Sequence, residues 1–320
     1  MLENGVLALS RQEVDSIIDR RGAYAGVTPS LSELMVASLH GETSRTPRAA
    51  YSAVDRSTGI LMVGAGRAVG AGATVRAYTA IPGKPPARPG WGVRLAFGED
   101  LTLNAVVSEA SIQEFRVGAG VGVVLKTLAP SSPAVAIIGS GKMARASAIA
   151  AIELCDPRSI VVCSPTAEHR DKLAAELSER SGITVTTADG VESAIQGADV
   201  IITSTSAGKR LLPDHVGDGV LVVSTGADEL TADQVADDTF YVTGVSELSG
   251  TPEPLASLIE AGHGGKVLEF GDVLDGTQTR AEGRVWVMAM GTAIWDLAVT
   301  NWIVETAVAD GIGSWVAGLE

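Results

Sequence analysis

Six residues that follow an apolar run have the types and spacing of a nucleotide-binding turn. They are Gly139, Ser140, Gly141, Lys142, Met143 and Ala144. A G-x-G-x-x-A turn between a strand and a helix brings backbone N–H groups against the pyrophosphate of a dinucleotide. In such a turn Gly139 permits the tight bend, Gly141 the approach of a phosphate, and Ala144 close helix–strand packing. The spacing therefore predicts a dinucleotide site, with a purely structural turn as the alternative.

The tip of the next predicted strand indicates which dinucleotide binds. Sites that prefer NAD place an Asp or Glu there, which binds the ribose 2′-hydroxyl. This chain instead has Ser164 and Thr166, and Arg170 lies on the helix that follows. Both hydroxyls can bond a 2′-phosphate, and Arg170 or Arg145 can neutralise it. The pattern favours NADP(H) over NAD(H), and the alternative is that Ser164 and Thr166 only cap the helix.

The elements around this turn alternate regularly. Apolar runs predict six strands, at 134–138, 159–163, 184–187, 199–203, 219–224 and 239–242. Helical patterns lie between them, at 142–154, 167–181 and 191–196. Strands that alternate with helices form a parallel sheet with helices on both faces. The predicted fold class is therefore α/β, with a Rossmann doubly wound parallel sheet.

The N-terminal part of the chain has a different pattern. Ser10 begins a helix, the segment 81–90 is a proline-rich loop, and half-apolar runs predict further strands. These strands are expected at 60–63, 74–78, 93–96 and 102–107. The pattern indicates a mixed α+β domain. The predicted division gives 1–117 with 292–320 to this domain and 118–291 to the Rossmann domain.

The apolar stretch 285–304 is the longest near the C-terminus. Asp296 and Asn301 interrupt it, which favours a buried helix over a membrane span. The helical periodicity at 292–308 lies well beyond the last predicted strand. We expect this helix to return and pack on the N-terminal domain.

Composition limits the classes of partner. The 320 residues carry a formal net charge of -14, and an acidic surface disfavours nucleic acids and anionic membranes. Cys155 and Cys163 are predicted to be structural thiols, and the N-terminus lacks the basic and apolar regions of a signal peptide. A cytoplasmic location is therefore expected. No histidine has a companion at metal-ligand spacing, so no metal is expected.

Four separate stretches together resemble the ornithine cyclodeaminase/μ-crystallin family. In chain order they are 137–145, 197–205, 268–276 and 291–298. The resemblance covers nearly the whole chain, and the ordered set is more specific than any one stretch. Members of this family use a nicotinamide cofactor on amino acids or their imines, and they are generally homodimers formed through the N-terminal domain. The resemblance implies that the first domain binds a small carboxylate substrate and forms a homodimer.

The family binds the substrate carboxylate with cations of its first domain. A Pro-Arg pair of the family corresponds to Pro47 and Arg48, and an Arg-Thr-Ala-Ala motif corresponds to the stretch at Arg116, where only the arginine is kept. A guanidinium group holds a carboxylate with two parallel hydrogen bonds. The resemblance implies that Arg48 and Arg116 bind the substrate. The alternatives are a solvated Arg48 and an Arg116 that pairs with Glu114 at the surface.

Two catalytic positions of the family are changed here. Arg76 stands where the family has a lysine, and an arginine can hold an anion or polarise the substrate but cannot act as a base near neutral pH. The family's catalytic Asp loop is shortened, and Asp228 is the nearest acid. We interpret Asp228 as the proton donor, which requires a pKa raised by burial. The alternative is that Glu229 and Leu230 match a later Glu-Leu motif of the family and that Asp228 only caps a helix.

The predicted cofactor site is completed by residues that border the nicotinamide and its ribose, namely Thr203, Ser204, Thr205 and Thr225. Hydride transfer needs an electrophilic C=N carbon held against the nicotinamide, whereas cyclodeamination also needs an acid/base pair. With both catalytic positions changed, the sequence favours an NAD(P)H-dependent imine (ketimine) reductase or amino-acid dehydrogenase. Its substrate would be a small carboxylate-bearing imine or amino acid. The alternatives are a cyclodeaminase-type lyase with catalytic NAD and a turnover-deficient NADP(H)-binding protein.

Overall fold

The chain divides into two compact units, each with its own sheet. One consists of Met1–Arg116 with Gly291–Glu320 and the other of Val117–Met290. The computed structural model describes residues 5–46, 49–52, 60–80, 91–109, 111–205, 207, 210–214, 216–226, 229–243, 255–262, 267–289 and 291–317. Within these ranges, every helix falls short of the length and apolar character needed to cross a bilayer.

The first unit is a mixed sheet covered by helices. Its strands are β1 (Val6–Leu9), β2 (Thr43–Arg45), β3 (Ala49–Ser52), β4 (Ile60–Ala68), β5 (Gly72–Ala80), β6 (Gly92–Phe97), β7 (Leu103–Ser108) and β16 (Ser314–Val316). Its helices are α1 (Arg11–Ile18), α2 (Ala23–Leu39), the start of α3 (Ile112–Leu128) and α10 (Ala293–Asp310). The strand order is β16-β1-β7-β6-β5-β4-β2, with β3 also paired to β4. Helix α10 packs on β4 and β5 and against α2, so the C-terminal helix returns to this unit as predicted.

The second unit is built on a parallel sheet. Its strands are β8 (Ala134–Ile138), β9 (Ser159–Cys163), β10 (Val185–Ala188), β11 (Val200–Thr203), β12 (Leu221–Ser224), β13 (Thr239–Val242), β14 (Val267–Glu269) and β15 (Val285–Met288). Its helices are α4 (Lys142–Cys155), α5 (Ala167–Ser181), α6 (Val191–Ile195), α7 (Ala232–Val235), α8 (Leu255–Glu260) and α9 (Gly271–Leu274). The order is β10-β9-β8-β11-β12-β15-β13-β14, and all pairs are parallel. The order reverses between β8 and β11, which is where doubly wound sheets bind ligands.

The sequence predicts one buried helix over the apolar stretch 285–304, and the structure differs from this prediction. The stretch is a strand, β15, followed by helix α10. The four residues of β15 are all buried, and the strand pairs with β12 on one side and β13 on the other. A fully buried parallel strand is a continuous apolar run, so its pattern is the same as that of a buried helix. Thr292 marks the true helix start, because its hydroxyl accepts a hydrogen bond from the N–H of Ile294.

Candidate active site

The glycine turn lies at the carboxyl end of β8, beside the point where the strand order reverses. Gly139 has a φ of +128°, and a Cβ there would clash with the carbonyl oxygen of Ser204. Gly141 is the N-cap of α4, with a φ of -81°, and a Cβ there meets no described atom within 4 Å. The fold therefore requires a glycine at position 139 but not at position 141. The open space at Gly141 lies in front of a helix N-terminus, where an anionic group is stabilised.

The tip of β9 is tied to the glycine turn. The hydroxyl of Ser140 donates to Oγ of Ser164 at 2.8 Å, and Nη1 of Arg170 donates to the carbonyl oxygen of Ser164 at 3.0 Å. Thr166 is the N-cap of α5 by its backbone position, but its hydroxyl makes no capping hydrogen bond. Arg145 pairs with Glu176. Hydroxyls and a guanidinium group thus gather at this tip, while the acid that typifies NAD sites is missing from its sequence.

The ends of β11 and β12 bring the remaining predicted cofactor residues together. Thr203 is paired with Ser224 at the carboxyl ends of the two strands. The Ser204 and Thr225 hydroxyls share a hydrogen bond of 2.9 Å, and Oγ1 of Thr225 also donates to the Thr203 carbonyl oxygen at 3.1 Å. Thr205 follows in the same loop. These groups lie next to the reversal point, in the half of the sheet that does not contain β9 and β10.

A buried ionic cluster lies on the covered face of the first sheet. We call it the arginine cluster, and it consists of Arg76, Arg94, Glu109, Arg116 and Asp296, all of them buried. Arg76 and Arg94 are directly opposite each other on β5 and β6. Like charges in that position repel, and Glu109 compensates both. Its Oε1 accepts from Nη2 of Arg76 at 2.6 Å, and its Oε2 accepts from Nε of Arg94 at 2.7 Å.

Helix α10 supplies the second acid of the cluster. Asp296 lies 2.8 Å from Nη1 of Arg94 and accepts a hydrogen bond from Nη1 of Arg116 at 3.3 Å. Arg116 also donates to the Thr292 carbonyl oxygen at 3.4 Å. A Cβ at Gly291 would lie 2.8 Å from Cζ of Arg116, so the guanidinium group packs directly on this glycine. Arg116 is 5% exposed, so it does not lie at the surface as its alternative required.

Two members of the cluster, Glu109 and Arg94, have pKa values shifted in the direction that favours their charged forms. Burial alone would raise the pKa of Glu109, but the charges and hydrogen bonds of Arg94 and Arg76 outweigh it and hold that pKa below 4.5. Burial alone would lower the pKa of Arg94, but Asp296 and Glu109 raise it above its ordinary value. The formal charges of the three guanidinium groups and two carboxylates of the cluster sum to +1. Such a site favours an anionic ligand.

Arg76 is held on three sides. Besides its bond to Glu109, its Nη2 donates to Oε1 of Gln113 at 2.7 Å, and its Cζ lies 4.0 Å from the ring centroid of Tyr78. Arg48 and Asp228, predicted to bind the substrate and to donate the proton, lie outside the described residues. Their roles stay predictions.

Three members of the cluster were missed by sequence reasoning, namely Arg94, Glu109 and Asp296. Two of the three carry a usable signal. Arg94 lies between Val93 and Leu95 in a strand pattern, and Asp296 interrupts an apolar stretch. Charged side chains are seldom buried without a partner, so a charge inside an apolar pattern indicates a paired site.

Comparisons with known proteins show the family and the fold of this chain. Residues 28–311 match the model of the Ornithine cyclodeaminase/mu-crystallin family. A Delta(1)-pyrroline-2-carboxylate reductase of Bacillus cereus is 25% identical over 233 residues, covering 68% of this chain and 70% of the relative. The structure of Thermococcus litoralis Delta(1)-pyrroline-2-carboxylate reductase with NADH and L-proline has a TM-score of 0.82 at 22% identity, covering 97% of this chain and 100% of that one. An archaeal alanine dehydrogenase dimer with bound NAD has a TM-score of 0.83 at 20% identity, covering 97% and 98%. The family resemblance and the fold class predicted from the sequence are confirmed.

Proposed function

Because the chain belongs to the ornithine cyclodeaminase/mu-crystallin family, we propose that it is an NAD(P)H-dependent imine reductase whose substrate carries a carboxylate. The observation that carries the proposal is the open position at Gly141, at the N-terminus of α4 beside the reversal point of a parallel sheet. The Bacillus cereus and Thermococcus litoralis relatives support the choice of reaction, since Delta(1)-pyrroline-2-carboxylate is a cyclic imine with a carboxylate on its C=N carbon. They favour the reductase over the cyclodeaminase and the turnover-deficient binder.

The residues of the second unit fit a dinucleotide. N–H groups at the start of α4 would bind the pyrophosphate, with Ser140 and Ser164 beside the adenosine ribose. The loops after β11 and β12 would hold the nicotinamide half. When bound, the dinucleotide supplies the hydride that reduces the imine carbon.

The arginine cluster would bind the substrate carboxylate. Glu109 and Asp296 fix the guanidinium groups of Arg76 and Arg116, so little side-chain freedom is lost when an anion binds. Arg48 would add a further cation. An arginine side chain does not serve as a base near neutral pH, so the proposed role of Arg76 is to orient and polarise the substrate.

Reduction of a C=N bond requires one proton at the nitrogen for each hydride at the carbon, and the product is an amine. The arginines of the cluster do not release protons near neutral pH. Asp228 is our proposed donor, with water as the alternative source. This assignment predicts that the rate depends on protonation of a single acid.

A steady-state assay tests the proposal. The absorbance of reduced nicotinamide is followed with Delta(1)-pyrroline-2-carboxylate and, as a matched control, with Δ1-pyrroline, which lacks the carboxylate. We expect turnover with the first compound and little with the second. Ammonia release from ornithine without net cofactor consumption would instead support a cyclodeaminase. Dinucleotide binding with no turnover on a panel of imines and amino acids would support a binding protein.

We further propose that NADPH is preferred over NADH. Replacing Ser164 with Asp puts a carboxylate at the tip of β9, where it repels a 2′-phosphate and accepts from a 2′-hydroxyl. We expect NADPH affinity to fall by about tenfold or more and NADH affinity to be kept or raised. Titration calorimetry measures both. The control is Thr184→Asp, which adds the same charge at an exposed position at the amino end of β10. Wild-type protein that binds NADH more tightly than NADPH would contradict the preference.

The first unit carries an apolar sheet face that the helices among its described residues leave uncovered. Along β5, β6 and β7 the residues alternate between buried positions and half-exposed ones, and Leu61 and Val63 of β4 are on the half-exposed side, opposite Thr79 and Ala77. The half-exposed set, which we call the open face, is Ala8, Leu61, Val63, Val75, Ala77, Val93, Leu95 and Val106, and cross-strand register places these side chains together. A cavity of about 1170 Å³ lies over part of it, with Trp91, 85% exposed, at its edge. Large exposed apolar surfaces mark protein interfaces.

We propose that a second copy of the chain covers the open face. A two-fold dimer uses the same patch on both subunits, which suits a self-complementary apolar sheet. The alanine dehydrogenase to which this chain is similar is described as a dimer, which supports the proposal.

Replacing Val93 with Glu is expected to separate the dimer. The side chain is only half-buried in one chain, so the monomer tolerates the charge, but a charge in the middle of an apolar interface is desolvated without a partner. Light scattering after gel filtration should give the monomer mass of 32.8 kDa for the variant and twice that for the wild type. Val69→Glu, at a 70% exposed turn off the open face, is the control and should stay dimeric. A wild-type monomer would contradict the proposal.

A further inference from the structure

Glu229 is a buried carboxylate that joins the ends of two central strands. It is 2% exposed. Its Oε2 accepts from Oγ1 of Thr203 at 2.8 Å, from Oγ of Ser224 at 2.9 Å and from the N–H of Gly226 at 3.1 Å. Its Oε1 accepts from the N–H of Thr205 at 2.5 Å. One side chain therefore links the first residues after β11 to the first residues after β12.

These donors are uncharged, which sets Glu229 apart from the acids of the arginine cluster. Among the described residues, its hydrogen-bond partners are two hydroxyls and two backbone N–H groups. Burying a carboxylate is costly unless its oxygens are fully bonded, so stability alone is a weak reason to have one here. An ionised oxygen accepts stronger hydrogen bonds than a neutral one, and it accepts several at once. The arrangement is therefore suited to holding loops in one conformation.

The position of these loops connects Glu229 to the dinucleotide. Thr203 pairs with Ile138, the last residue of β8, and with Ser224 of β12. The loop after β11 also lies against the glycine turn, since a Cβ at Gly139 would clash with Ser204. In a doubly wound sheet each half binds one mononucleotide, and the half with the glycine turn takes the adenosine part. The loops after β11 and β12 thus face the nicotinamide part.

We infer that Glu229 is a positioning residue that presets these two loops for the nicotinamide half of the cofactor. The inference rests on the proposed dinucleotide function. Without the carboxylate the loops keep their sequence but lose the shared acceptor, so a ligand must order them on binding. The adenosine half, bound by the glycine turn and the tip of β9, keeps its site.

The test compares two ligands that differ by the nicotinamide. Titration calorimetry with NADH and with ADP-ribose is run on the wild type, Glu229→Gln and the control Glu282→Gln, which removes an exposed acid of the same unit. We expect Glu229→Gln to weaken NADH by about tenfold or more and ADP-ribose by less than about threefold. The control should change neither. Thr203→Val removes one hydrogen-bond donor to Glu229 and keeps the shape of the residue 203 side chain. It should also weaken NADH more than ADP-ribose, by a smaller factor, and so it tests the inference even where Glu229→Gln folds poorly.

Equal losses for both ligands in folded Glu229→Gln, or no loss for either, would overturn the positioning role. Wild-type protein that binds neither NADH, NADPH nor ADP-ribose would overturn the dinucleotide proposal itself. Binding of ADP-ribose by the wild type therefore separates the two failures.

Discussion

Gly141→Asp is expected to abolish dinucleotide binding while leaving the fold intact. Gly141 has an ordinary φ of -81°, and its Cβ position is open, so a side chain causes no strain. Asp is a favoured N-cap residue, so α4 should be as stable as before or slightly more stable. The new carboxylate lies where the pyrophosphate would meet the helix N-terminus, so it both fills the space and repels the ligand. Affinity should fall by about a hundredfold or more, measured by calorimetry beside a thermal unfolding curve.

The chain offers a matched control for this variant. Gly190 is the N-cap of α6 in the same unit, with a φ of -124° and no close contact for a Cβ. Gly190→Asp adds the same charge to another helix start and should leave binding unchanged. Gly139→Ala, which would clash with Ser204, should instead lower the melting temperature. If Gly141→Asp binds the dinucleotide as well as Gly190→Asp does, the ligand binds elsewhere.

Much of the second unit is predictable because its signals are local. A β-branched apolar run between turn residues indicates a buried strand, and β8 and β13 have the bounds predicted for them. Helix α5 also has the predicted bounds. The glycine turn needs only its six residues and the flanking elements to be recognised. Strand β15 was mistaken for helix because a short, fully apolar run has no period that separates the two.

The arginine cluster is harder to predict because its contacts depend on register and on long-range packing. Arg76 and Arg94 meet only when β5 and β6 pair in one register, since a shift by one residue would move either to the open face. Arg94 contacts Asp296 across 202 positions, after the whole second unit has intervened. Patterns within one strand or helix carry no information on such a pair. The sequence shows that Arg94 and Asp296 each lie among apolar residues, but it does not show that the two side chains contact each other.

Replacing Glu109 with Gln is expected to lower the free energy of unfolding by about 3–5 kcal/mol, because it leaves Arg76 and Arg94 adjacent and buried, with Asp296 as the acid that remains beside them among the described residues. The effect depends on pH. The pKa of Glu109 is lower in the folded protein, so its contribution is fully present above the unfolded pKa and is lost as pH falls through the folded one. The difference between wild type and variant should therefore be largest near neutral pH and shrink below about pH 5. Denaturant unfolding across this range measures it.

The same network predicts that substitutions within it are not additive. Arg94→Met should strongly lower the free energy of unfolding of the wild type, since it leaves Glu109 with one fewer partner. In the Glu109→Gln background that carboxylate is already gone, so the same substitution should lower the free energy of unfolding by about 0.5–3 kcal/mol less. Glu99→Gln, which removes an exposed acid of the same unit, should be nearly neutral at every pH. If the two losses add and the pH dependence of Glu109→Gln matches that of Glu99→Gln, Glu109 does not hold the arginines together. A measured coupling would mean that Glu109 holds Arg94 and Arg76 in place before an anion arrives, because it accepts hydrogen bonds from both guanidinium groups.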